Sequence, residues 1–540
     1  MQSVFYRIFW LRSRPELLCA RAHPLLIIRC LQGSIGGALR DEAMAAEEET
    51  TAAELQRLLD VQKAALRERG PPGVRERERR LDVMVQLLLA NEDDLVAAVT
   101  ADFGVRPREV TRFADVLMAL EAFKAARAGV RSWCRPERRR VDFPFNVVGA
   151  TNYVEYQPKG VVGVVAPWNY PIMLLLTPVA SAFAAGDAVL LKPSELAPRT
   201  AALIARLING AYDENIARVV LGGPRTSAAL AALPLDHLVF TGSTRVGKLV
   251  AAACARNLTP TTLELGGKCP VVVGTRADVT ACAKRVVHGK ILNSGQTCLA
   301  PDYVFVEESV RDAFVEAFER TIADMFPHGV LGSGDYASII SAAHGDRLRA
   351  LVTEAKSAGC RVVECRGGAA DDANEDAARR VAPTLILDAG DALRVSSEEI
   401  FGPLLVVRTY ARLADALSYI AARPKPLALY YLGPDRAEER RVLDAVASGG
   451  VTVNDTVMHC GQEDLPFGGV GASGHGRTRG RDGFRELSNV RGVHRQIGHA
   501  GLSQLVLDGL YPPYDRLGNI VDLYLWLKMR ALRTARCSVM

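Results

Sequence analysis

Apolar residues recur at helical spacing through the first part of the chain. Residues 47–101 are charged and alanine-rich, and their apolar positions lie close to the i, i+3, i+4 pattern of amphipathic helices. A second helical tract is predicted over residues 108–134. Aromatic and β-branched residues then predict a β-ribbon over residues 141–156. Helices are therefore expected before the first strands.

Short continuous apolar runs alternate with helix-like stretches further along, and each is typical of a strand buried on both faces of a parallel sheet. These runs are 161–166, 188–191, 219–221 and 238–240 in the first half, and 271–273, 303–306, 384–387 and 404–407 in the second. The alternation predicts an α/β fold with two α/β domains. In such sheets ligands bind beyond the carboxyl ends of the strands, so the residues that follow each strand are the first candidates for a site.

The two ends of the chain differ from its body. Residues 1–46 are rich in arginine and contain one acid, Glu16, before Asp41, which is typical of an organelle transit peptide. The alternative is a true start at Met44. The apolar run at 520–527 is shorter than the ~20 residues that span a bilayer and is at most an interfacial helix. We expect a cytoplasmic or organellar protein, mitochondrial or plastid if the transit peptide is real, without a transmembrane segment.

Composition narrows the class of protein. A length of 540 residues predicts two or three domains, and 49% hydrophobic with 24% charged residues is ordinary for globular proteins. The net charge of +5 is small, and no basic block with interleaved aromatics predicts nucleic-acid binding. The 11 cysteines are scattered and odd in number, which favours a reducing compartment. Without a CxxC pair or an HExxH helix, we predict no metal site.

A glycine-containing turn lies between a predicted strand and a predicted helix at residues 240–247. Gly242, Ser243 and Gly247 belong to this turn, and amides at such a helix start attract phosphate. The match to the dinucleotide pattern G-x-G-x-x-G is partial, because Thr244 replaces the middle glycine. A tight strand–helix turn without a ligand explains the segment equally well.

Two charged residues follow the predicted strand 188–191. The ammonium of Lys192 is suited to ribose hydroxyls, and the carboxylate of Glu195 is suited to the adenosine ribose diol. The alternative is a solvated lysine and a helix-capping glutamate after Ser194. A carboxylate here would repel a 2′-phosphate, which favours NAD over NADP.

An acid and a thiol stand next to glycine-containing loops. Glu264 closes an apolar stretch directly before Leu265, Gly266 and Gly267, and glycine permits close backbone approach. Cys298 follows a polar loop in which a thiol can be exposed. Most single cysteines are buried packing residues, so spacing alone leaves both interpretations open.

Seven motifs together resemble the aldehyde dehydrogenase superfamily over residues 55–500, in order and in separation. They are Pro-Trp-Asn-Tyr-Pro (167–171), Lys-Pro-Ser-Glu (192–195), Phe-Thr-Gly-Ser-Thr (240–244), Glu-Leu-Gly-Gly-Lys (264–268), Gly-Gln-Thr-Cys (295–298), Glu-Ile-Phe-Gly-Pro (399–403) and Pro-Phe-Gly-Gly (466–469). Segments 259–264, 300–303 and 511–514 look most like the class 3, fatty-aldehyde and coniferyl-aldehyde branch. Members of that branch commonly form dimers, so the resemblance implies a homodimer.

The resemblance also implies a covalent mechanism that converts aldehydes to carboxylic acids. Cys298 would attack the aldehyde carbon as a thiolate and later carry a thioester. The side-chain amide of Asn169 and the backbone amide of Cys298 would form an oxyanion hole. Glu264 would be the general base that activates the hydrolytic water. Because relatives that transfer the acyl group to coenzyme A lack this acid, Glu264 favours a free carboxylic acid as product.

A nicotinamide cofactor, NAD or NADP, follows from the same resemblance. The residues expected to contact it are Trp168, Lys192, Glu195, Gly242, Ser243, Gly247, Glu399 and Phe401. The expected domains are an N-terminal extension (1–46), an NAD(P)-binding Rossmann-like domain (47–140 and 157–264), a catalytic α/β domain (265–460), oligomerisation strands (141–156 and 484–500) and a C-terminal tail (501–540).

Three rival functions are weighed against this interpretation. A cysteine hydrolase would pair Cys298 with His288 or His459 and act as an esterase without cofactor. A coenzyme A-acylating dehydrogenase is disfavoured by Glu264. A non-catalytic binding protein is disfavoured by the presence of Cys298, Glu264 and Asn169 together.

Overall fold

The computed structural model describes residues 49–530, apart from 144, 147–148, 369–376, 497–500 and several positions between 502 and 527. The expected N-terminal extension, residues 1–46, and parts of the expected tail lie outside the described residues. Within the described part, no helix is both long enough and apolar enough to cross a membrane.

The helices share the amphipathic patterning seen in the sequence. They are α1 (Ala52–Arg69), α2 (Val74–Ala90), α3 (Glu92–Phe103), α4 (Arg108–Thr111), α5 (Met118–Trp133), α6 (Met173–Ala185), α7 (Pro198–Ala211), α8 (Pro224–Ala232), α9 (Thr244–Ala255), α10 (Val279–Ile291), α11 (Arg311–Met325), α12 (Ala342–Ser357), α13 (Arg394–Ser397), α14 (Leu413–Ala421), α15 (Arg436–Ala445) and α16 (Gly480–Glu486). A π-helical turn, Arg112–Leu117, joins α4 to α5.

The strands form three sheets. They are β1 (Glu137–Arg139), β2 (Thr151–Pro158), β3 (Val161–Val165), β4 (Ala188–Lys192), β5 (Ala217–Val219), β6 (His237–Gly242), β7 (Thr261–Leu265), β8 (Cys269–Val273), β9 (Pro301–Glu307), β10 (Arg361–Glu364), β11 (Thr384–Leu387), β12 (Leu404–Tyr410), β13 (Ala428–Leu432), β14 (Gly450–Val453), β15 (Gly474–His475) and β16 (Ser488–Arg495).

The first sheet has six strands in the order β5-β4-β3-β6-β7-β15, and all its pairs are parallel except β7 with β15. The second sheet has seven strands in the order β10-β11-β12-β9-β8-β13-β14, and it is parallel except for β10. Helices follow most strands, as crossover connections in parallel sheets require. The predicted α/β fold, with a Rossmann-like sheet and a second α/β sheet, is confirmed.

Alternate residues of the first sheet enter different cores, which is why its strands read as continuous apolar runs. Val162, Val164 and Val239 pack in the core that contains α6, whereas Leu238 and Leu263 pack in the core on the opposite face. The same alternation divides the second sheet between two further cores. Both sheets are therefore covered on both faces.

A small antiparallel sheet in the order β1-β2-β16 completes the fold. Strand β2 begins only at Thr151, so the ribbon expected over 141–156 occupies the end of that range. The sheet also contains β1, which sequence patterning did not identify. Strand β16 is mostly exposed and β2 is mostly half-buried, with polar side chains such as Glu155 and Arg491 facing each other across the β2–β16 pair. This sheet is the small β-element expected beside the two larger sheets.

Candidate active site

Strands of the first sheet end at one edge, and five candidate residues lie there. Trp168 and Asn169 follow β3, Lys192 closes β4, Gly242 closes β6, and Glu264 is the penultimate residue of β7. Parallel strands place their carboxyl ends together, so residues far apart in sequence meet at this edge. The edge is where the sequence analysis expected ligand-binding residues.

The loop that carries Cys298 lies between α10 and β9 and has an unusual backbone. Asn293 and Ser294 have left-handed φ values of 50° and 53°, and Gly295 follows with a φ of 72°. A Cβ atom at Gly295 would overlap the carbonyl oxygen of Gly402, so glycine is required there. The turn therefore fixes the cysteine loop closely against the segment that contains Gly402.

The buried side chain of Gln296 ties this loop to its surroundings. Gln296 donates to the carbonyl oxygen of Ser338 at 3.1 Å and accepts from the amide of Ile340 at 2.9 Å. Its own carbonyl oxygen accepts a 3.0 Å hydrogen bond from Nδ2 of Asn169. An amide nitrogen has two N–H groups, so Asn169 keeps a second donor. The candidate oxyanion donor and the cysteine loop are thus directly joined.

A buried ion pair that the sequence analysis missed holds Asn169 from another side. Nη1 of Arg106 donates to the carbonyl oxygen of Asn169 at 2.9 Å, and Nη2 donates to Asp115 at 2.7 Å. Asp115 also accepts from the amides of Ile172 and Met173 at the start of α6. Asp115 lies in the π-helical turn, an element that is rare and often found at functional sites. Only tertiary contacts reveal this pair, because neither residue belongs to a recognisable motif.

Glu264 is buried, with 6% of its surface exposed, and neither carboxylate oxygen has a hydrogen-bond partner among the described residues. Burial raises the pKa of Glu264 well above its usual range, and the guanidinium groups of Arg477 and Arg479 oppose this rise only in part. A buried carboxyl group of this kind holds its proton to a higher pH than an exposed glutamate does, and it is a stronger base once that proton is lost.

The thiol of Cys298 is half-buried and lies within electrostatic range of three other candidate or neighbouring groups. Burial raises the pKa of Cys298 most, and Glu399, Glu264 and Cys460 raise it further. Both carboxyl groups therefore disfavour the charged form of this thiol. The thiolate is the nucleophilic form, so the raised pKa means that less of Cys298 is ready to attack at a given pH.

Glu399 precedes β12 and lies against the glycine pair that follows β7. A Cβ atom at Gly266 would overlap the Glu399 carboxylate, and Oε1 of Glu399 is buried without a partner among the described residues. Burial raises the pKa of Glu399 to about 8, with Asp302 adding to the rise and the backbone amide of Gly267 opposing it. The arrangement leaves an acceptor available for a polar ligand group such as a ribose hydroxyl.

A lysine–aspartate contact, also missed from the sequence, supports the segment around Glu399. Nζ of Lys268 donates to the carbonyl oxygens of Val395 and Glu398, both at 2.9 Å, and lies 3.6 Å from the carboxylate of Asp302. Phe401 has a left-handed φ of 49°, which is unusual for an aromatic residue. Its ring lies 5.4 Å from that of Trp168 at 81°, so two predicted cofactor contacts meet here.

The opposite end of the candidate cofactor groove lies at the start of α9. Ser243 caps this helix by accepting from the amide of Val246 at 3.3 Å. A Cβ at Gly247 would lie 2.6 Å from Cδ2 of Leu265, so glycine allows helix and strand to pack closely. A helix start of this kind suits phosphate. With the available oxygen of Glu399, the residues present fit a dinucleotide.

Lys192 and Glu195 bond each other. The Nζ atom of Lys192, which is 1% exposed, donates to the carboxylate of Glu195 at 2.6 Å. The alternative interpretation expected a solvated lysine and a glutamate that caps a helix. Instead, the lysine is buried and bonded to the glutamate. Both residues stay together at the edge where the sequence analysis placed the adenosine ribose.

Comparison with known proteins identifies the family. Residues 38–493 match the family model described as aldehyde dehydrogenase family. The chain belongs to the aldehyde dehydrogenase family. It is 44% identical over 447 residues to the coniferyl aldehyde dehydrogenase of a Pseudomonas strain. The matched region covers 82% of this chain and 92% of that protein. The resemblance to the class 3 and coniferyl-aldehyde branch is confirmed.

Solved structures agree with the family assignment. This aldehyde dehydrogenase is similar to the substrate-bound state of Staphylococcus aureus AldH, with a TM-score of 0.80 and 33% identity over 87% of this chain and 99% of that chain. It is also similar to PnpE in complex with nicotinamide adenine dinucleotide, with a TM-score of 0.75 and 26% identity over 83% of this chain and 91% of that chain. The fold therefore agrees with that of a dinucleotide-bound relative.

The two histidines considered for a cysteine hydrolase lie in different surroundings in this aldehyde dehydrogenase. His288 is exposed on α10, and Nδ1 of His459 bonds the hydroxyl of Thr452 at 2.7 Å. Burial lowers the pKa of His459 to about 4. In the part of the chain that the structure describes, neither histidine hydrogen-bonds Cys298. The cysteine–histidine pair that such a hydrolase needs is not formed.

Proposed function

We propose that this aldehyde dehydrogenase oxidises aldehydes to free carboxylic acids through a covalent intermediate on Cys298, with NAD as the preferred cofactor. The observation that carries the proposal is the hydrogen bond that joins Asn169 to the loop carrying Cys298, together with the buried, unpartnered carboxyl group of Glu264. Three chemically distinct roles are needed around one reacting carbon, and these three residues supply a group for each.

The first step is attack of the Cys298 sulfur on the aldehyde carbon, after the thiol has released its proton to solvent. The oxygen of the resulting thiohemiacetal carries negative charge and accepts from the free N–H of Asn169 and the backbone amide of Cys298. Removing one such donor costs roughly 3 kcal/mol of transition-state stabilisation in other enzymes. The Arg106–Asp115 pair contributes indirectly, because it fixes the loop that carries Asn169.

A bound nicotinamide ring supplies the acceptor for the hydride that leaves the thiohemiacetal carbon. Glu399 and Phe401 would hold its ribose and ring, and the start of α9 at Ser243 would hold phosphate. Lys192 and Glu195 would hold the adenosine ribose. The carboxylate of Glu195 disfavours a 2′-phosphate, which supports NAD over NADP.

Glu264 then accepts a proton from the water that hydrolyses the thioester on Cys298. Its burial makes the carboxylate a stronger base than an exposed one. Hydrolysis releases the carboxylic acid and restores the thiol. Coenzyme A is not needed for this route, and product formation should be the same with and without it.

Aromatic aldehydes are the proposed substrates, with medium-to-long aliphatic aldehydes as the alternative. The name of the Pseudomonas relative, coniferyl aldehyde dehydrogenase, supports the aromatic class.

We also propose a homodimer that forms through the small sheet, because the outer edge of β16 pairs with no other strand of that sheet. We propose that residues 47–140 and 157–264 together form the cofactor-binding domain. Residues 265–460 would form the catalytic domain.

The test is a screen of NADH and NADPH formation over benzaldehyde, hexanal, decanal and coniferaldehyde with the purified full-length chain. We expect NADH formation with the aromatic aldehydes and its loss, by at least about 1000-fold, in Cys298→Ala, since the covalent step is then impossible. Cys360→Ala is the matched control, because Cys360 is also half-buried but follows α12, outside this site. Normal turnover by Cys298→Ala would contradict the proposal.

A further inference from the structure

A second ion pair joins two residues that flank the glycine-rich segment Pro466–Gly469 in sequence, and it takes no part in the steps above. Arg479 is 4% exposed and has a left-handed φ of 76° at the residue that precedes α16. Its Nη1 donates to Oε1 of Glu463 at 2.9 Å, and the Glu463 side chain is 14% exposed. Burying the Arg479 charge at a strained residue is costly unless geometry or function maintains it.

The pair adjoins a stack of rings. The Arg479 guanidinium lies 5.1 Å from the centroid of the Phe467 ring. The Phe467 ring is nearly parallel to that of His459, at 6.2 Å and 19°. Cys460 follows His459 directly in the chain. Arg479, Phe467 and His459 therefore form one layer next to Cys460.

This layer is close to the proposed reaction centre. The His459 ring lies 6.3 Å from the ring of Tyr430, and the Tyr430 hydroxyl donates to the carbonyl oxygen of Leu299, the residue after Cys298, at 2.6 Å. Ring and hydrogen-bond contacts therefore join this layer to the loop that carries Cys298. The part of a bound aldehyde remote from its reacting carbon is the part that this layer could contact.

Both members of the pair have unused bonding capacity. Oε2 of Glu463 is buried and has no partner among the described residues. A guanidinium has five N–H donors, and in the described part of the chain Arg479 uses only Nη1 in a hydrogen bond. A buried acceptor without a partner costs about 1–3 kcal/mol, so a ligand that supplies the missing donor is favoured.

We propose that Arg479 and Glu463 determine substrate specificity by binding a hydroxyl group at the end of the aldehyde remote from the reacting carbon. A hydroxyl both accepts and donates, so it would accept from the Arg479 guanidinium and donate to Oε2 of Glu463. A carboxylate cannot donate, and it would be repelled by Glu463 and by Glu121, which is in electrostatic range of Glu463. The inference rests on the proposed function and names its preferred substrates as hydroxylated aromatic aldehydes.

The experiment compares kcat/KM for 4-hydroxybenzaldehyde with that for benzaldehyde, in the full-length chain with NAD. The wild type should favour the hydroxylated substrate over both benzaldehyde and 4-carboxybenzaldehyde. In Arg479→Met the ratio of hydroxylated to plain substrate should fall at least about tenfold, equivalent to about 1.4 kcal/mol. Arg479→Lys retains a donor and should restore part of the ratio.

Loss of one buried charge can impair folding, so the double variant Arg479→Met with Glu463→Met removes both charges and should show the same fall in ratio. Arg80→Met is the matched control: its side chain is 9% exposed, it pairs with Glu76 at 3.2 Å, and it lies on α2. A ratio unchanged in the single and double variants, with NADH still formed, would overturn the inference and leave the proposed function standing. No NADH from any aldehyde in the wild type would overturn the proposed function itself.

Discussion

At the scale of single residues, burial without a hydrogen-bond partner is what distinguishes Glu264. Most buried carboxylates in proteins are paired, and an unpaired one has a raised pKa. Burial raises the pKa of Cys298 as well, and the neighbouring carboxyl groups of Glu399 and Glu264 raise it further. In the proposed mechanism, the turnover rate should therefore depend on proton transfer to and from these groups.

The pH dependence follows from the direction of these shifts. Below its raised pKa Glu264 carries a proton and cannot accept one from water, and burial and the neighbouring carboxyl groups likewise favour the neutral thiol of Cys298. We therefore expect kcat to keep rising with pH above the range in which an exposed glutamate titrates. The measurement is a pH–rate profile with benzaldehyde and saturating NAD. A profile that is already flat from a little above 4.5, the ordinary pKa of a glutamate, would be at odds with a buried base.

Sequence motifs identified the residues with proposed chemical roles. They did not identify the residues whose contacts hold those side chains in position. Asn169, Glu264 and Cys298 were singled out because their neighbours belong to recognisable motifs. Arg106 and Asp115 were not, since their importance depends on a contact with the Asn169 loop that no local pattern encodes.

At the scale of elements, the π-helical turn and α6 are joined through Asp115. Asp115 caps the start of α6 and neutralises Arg106, which holds the carbonyl oxygen of Asn169. One side chain thus connects the stability of two elements to the position of a proposed oxyanion donor.

Asp115→Asn tests this connection. The substitution retains the shape of the side chain but leaves the Arg106 charge buried without a counter-charge, which we expect to lower the free energy of unfolding by about 3 kcal/mol. It should also lower kcat/KM, because Asn169 loses its support. Urea unfolding and steady-state rates measure the two effects.

The control is Glu92→Gln, which removes the exposed partner of Arg112 on the same part of the chain and should cost less than about 1 kcal/mol. Equal effects of the two substitutions would show that burial of the Arg106–Asp115 pair is unimportant.

The rule that ligands lie beyond the carboxyl ends of strands covers the candidate residues of only one sheet. Lys192 ends β4 and Glu264 is the penultimate residue of β7 in the first sheet, but Cys298 and Glu399 precede β9 and β12 of the second. Their location could not be derived from strand order within either sheet. Motif resemblance supplied it instead.

At the scale of the whole molecule, the alternation of apolar runs was sufficient to predict two parallel sheets. It did not predict β7, β10, β13, β14 or the two-residue β15, which pairs with β7 beside Glu264. Strand β13 is a buried five-residue apolar run of the kind recognised elsewhere in the chain, so its pattern could have identified it. The others are short or mix polar and apolar residues, and they are recognised only once their partners are in place. The patterning therefore gave the architecture, while tertiary contacts determined how the sheets are completed at the site.

The central claim is that an acyl group forms on Cys298 and that Glu264 removes it, and a trapping experiment tests it most directly. Glu264→Gln protein is mixed with NAD and benzaldehyde, quenched, and analysed by intact-mass and peptide mass spectrometry. We predict about one equivalent of NADH and a mass increase of one benzoyl group on the peptide that contains Cys298. Continued turnover at the wild-type rate, or release of NADH with no adduct on Cys298, would contradict the account.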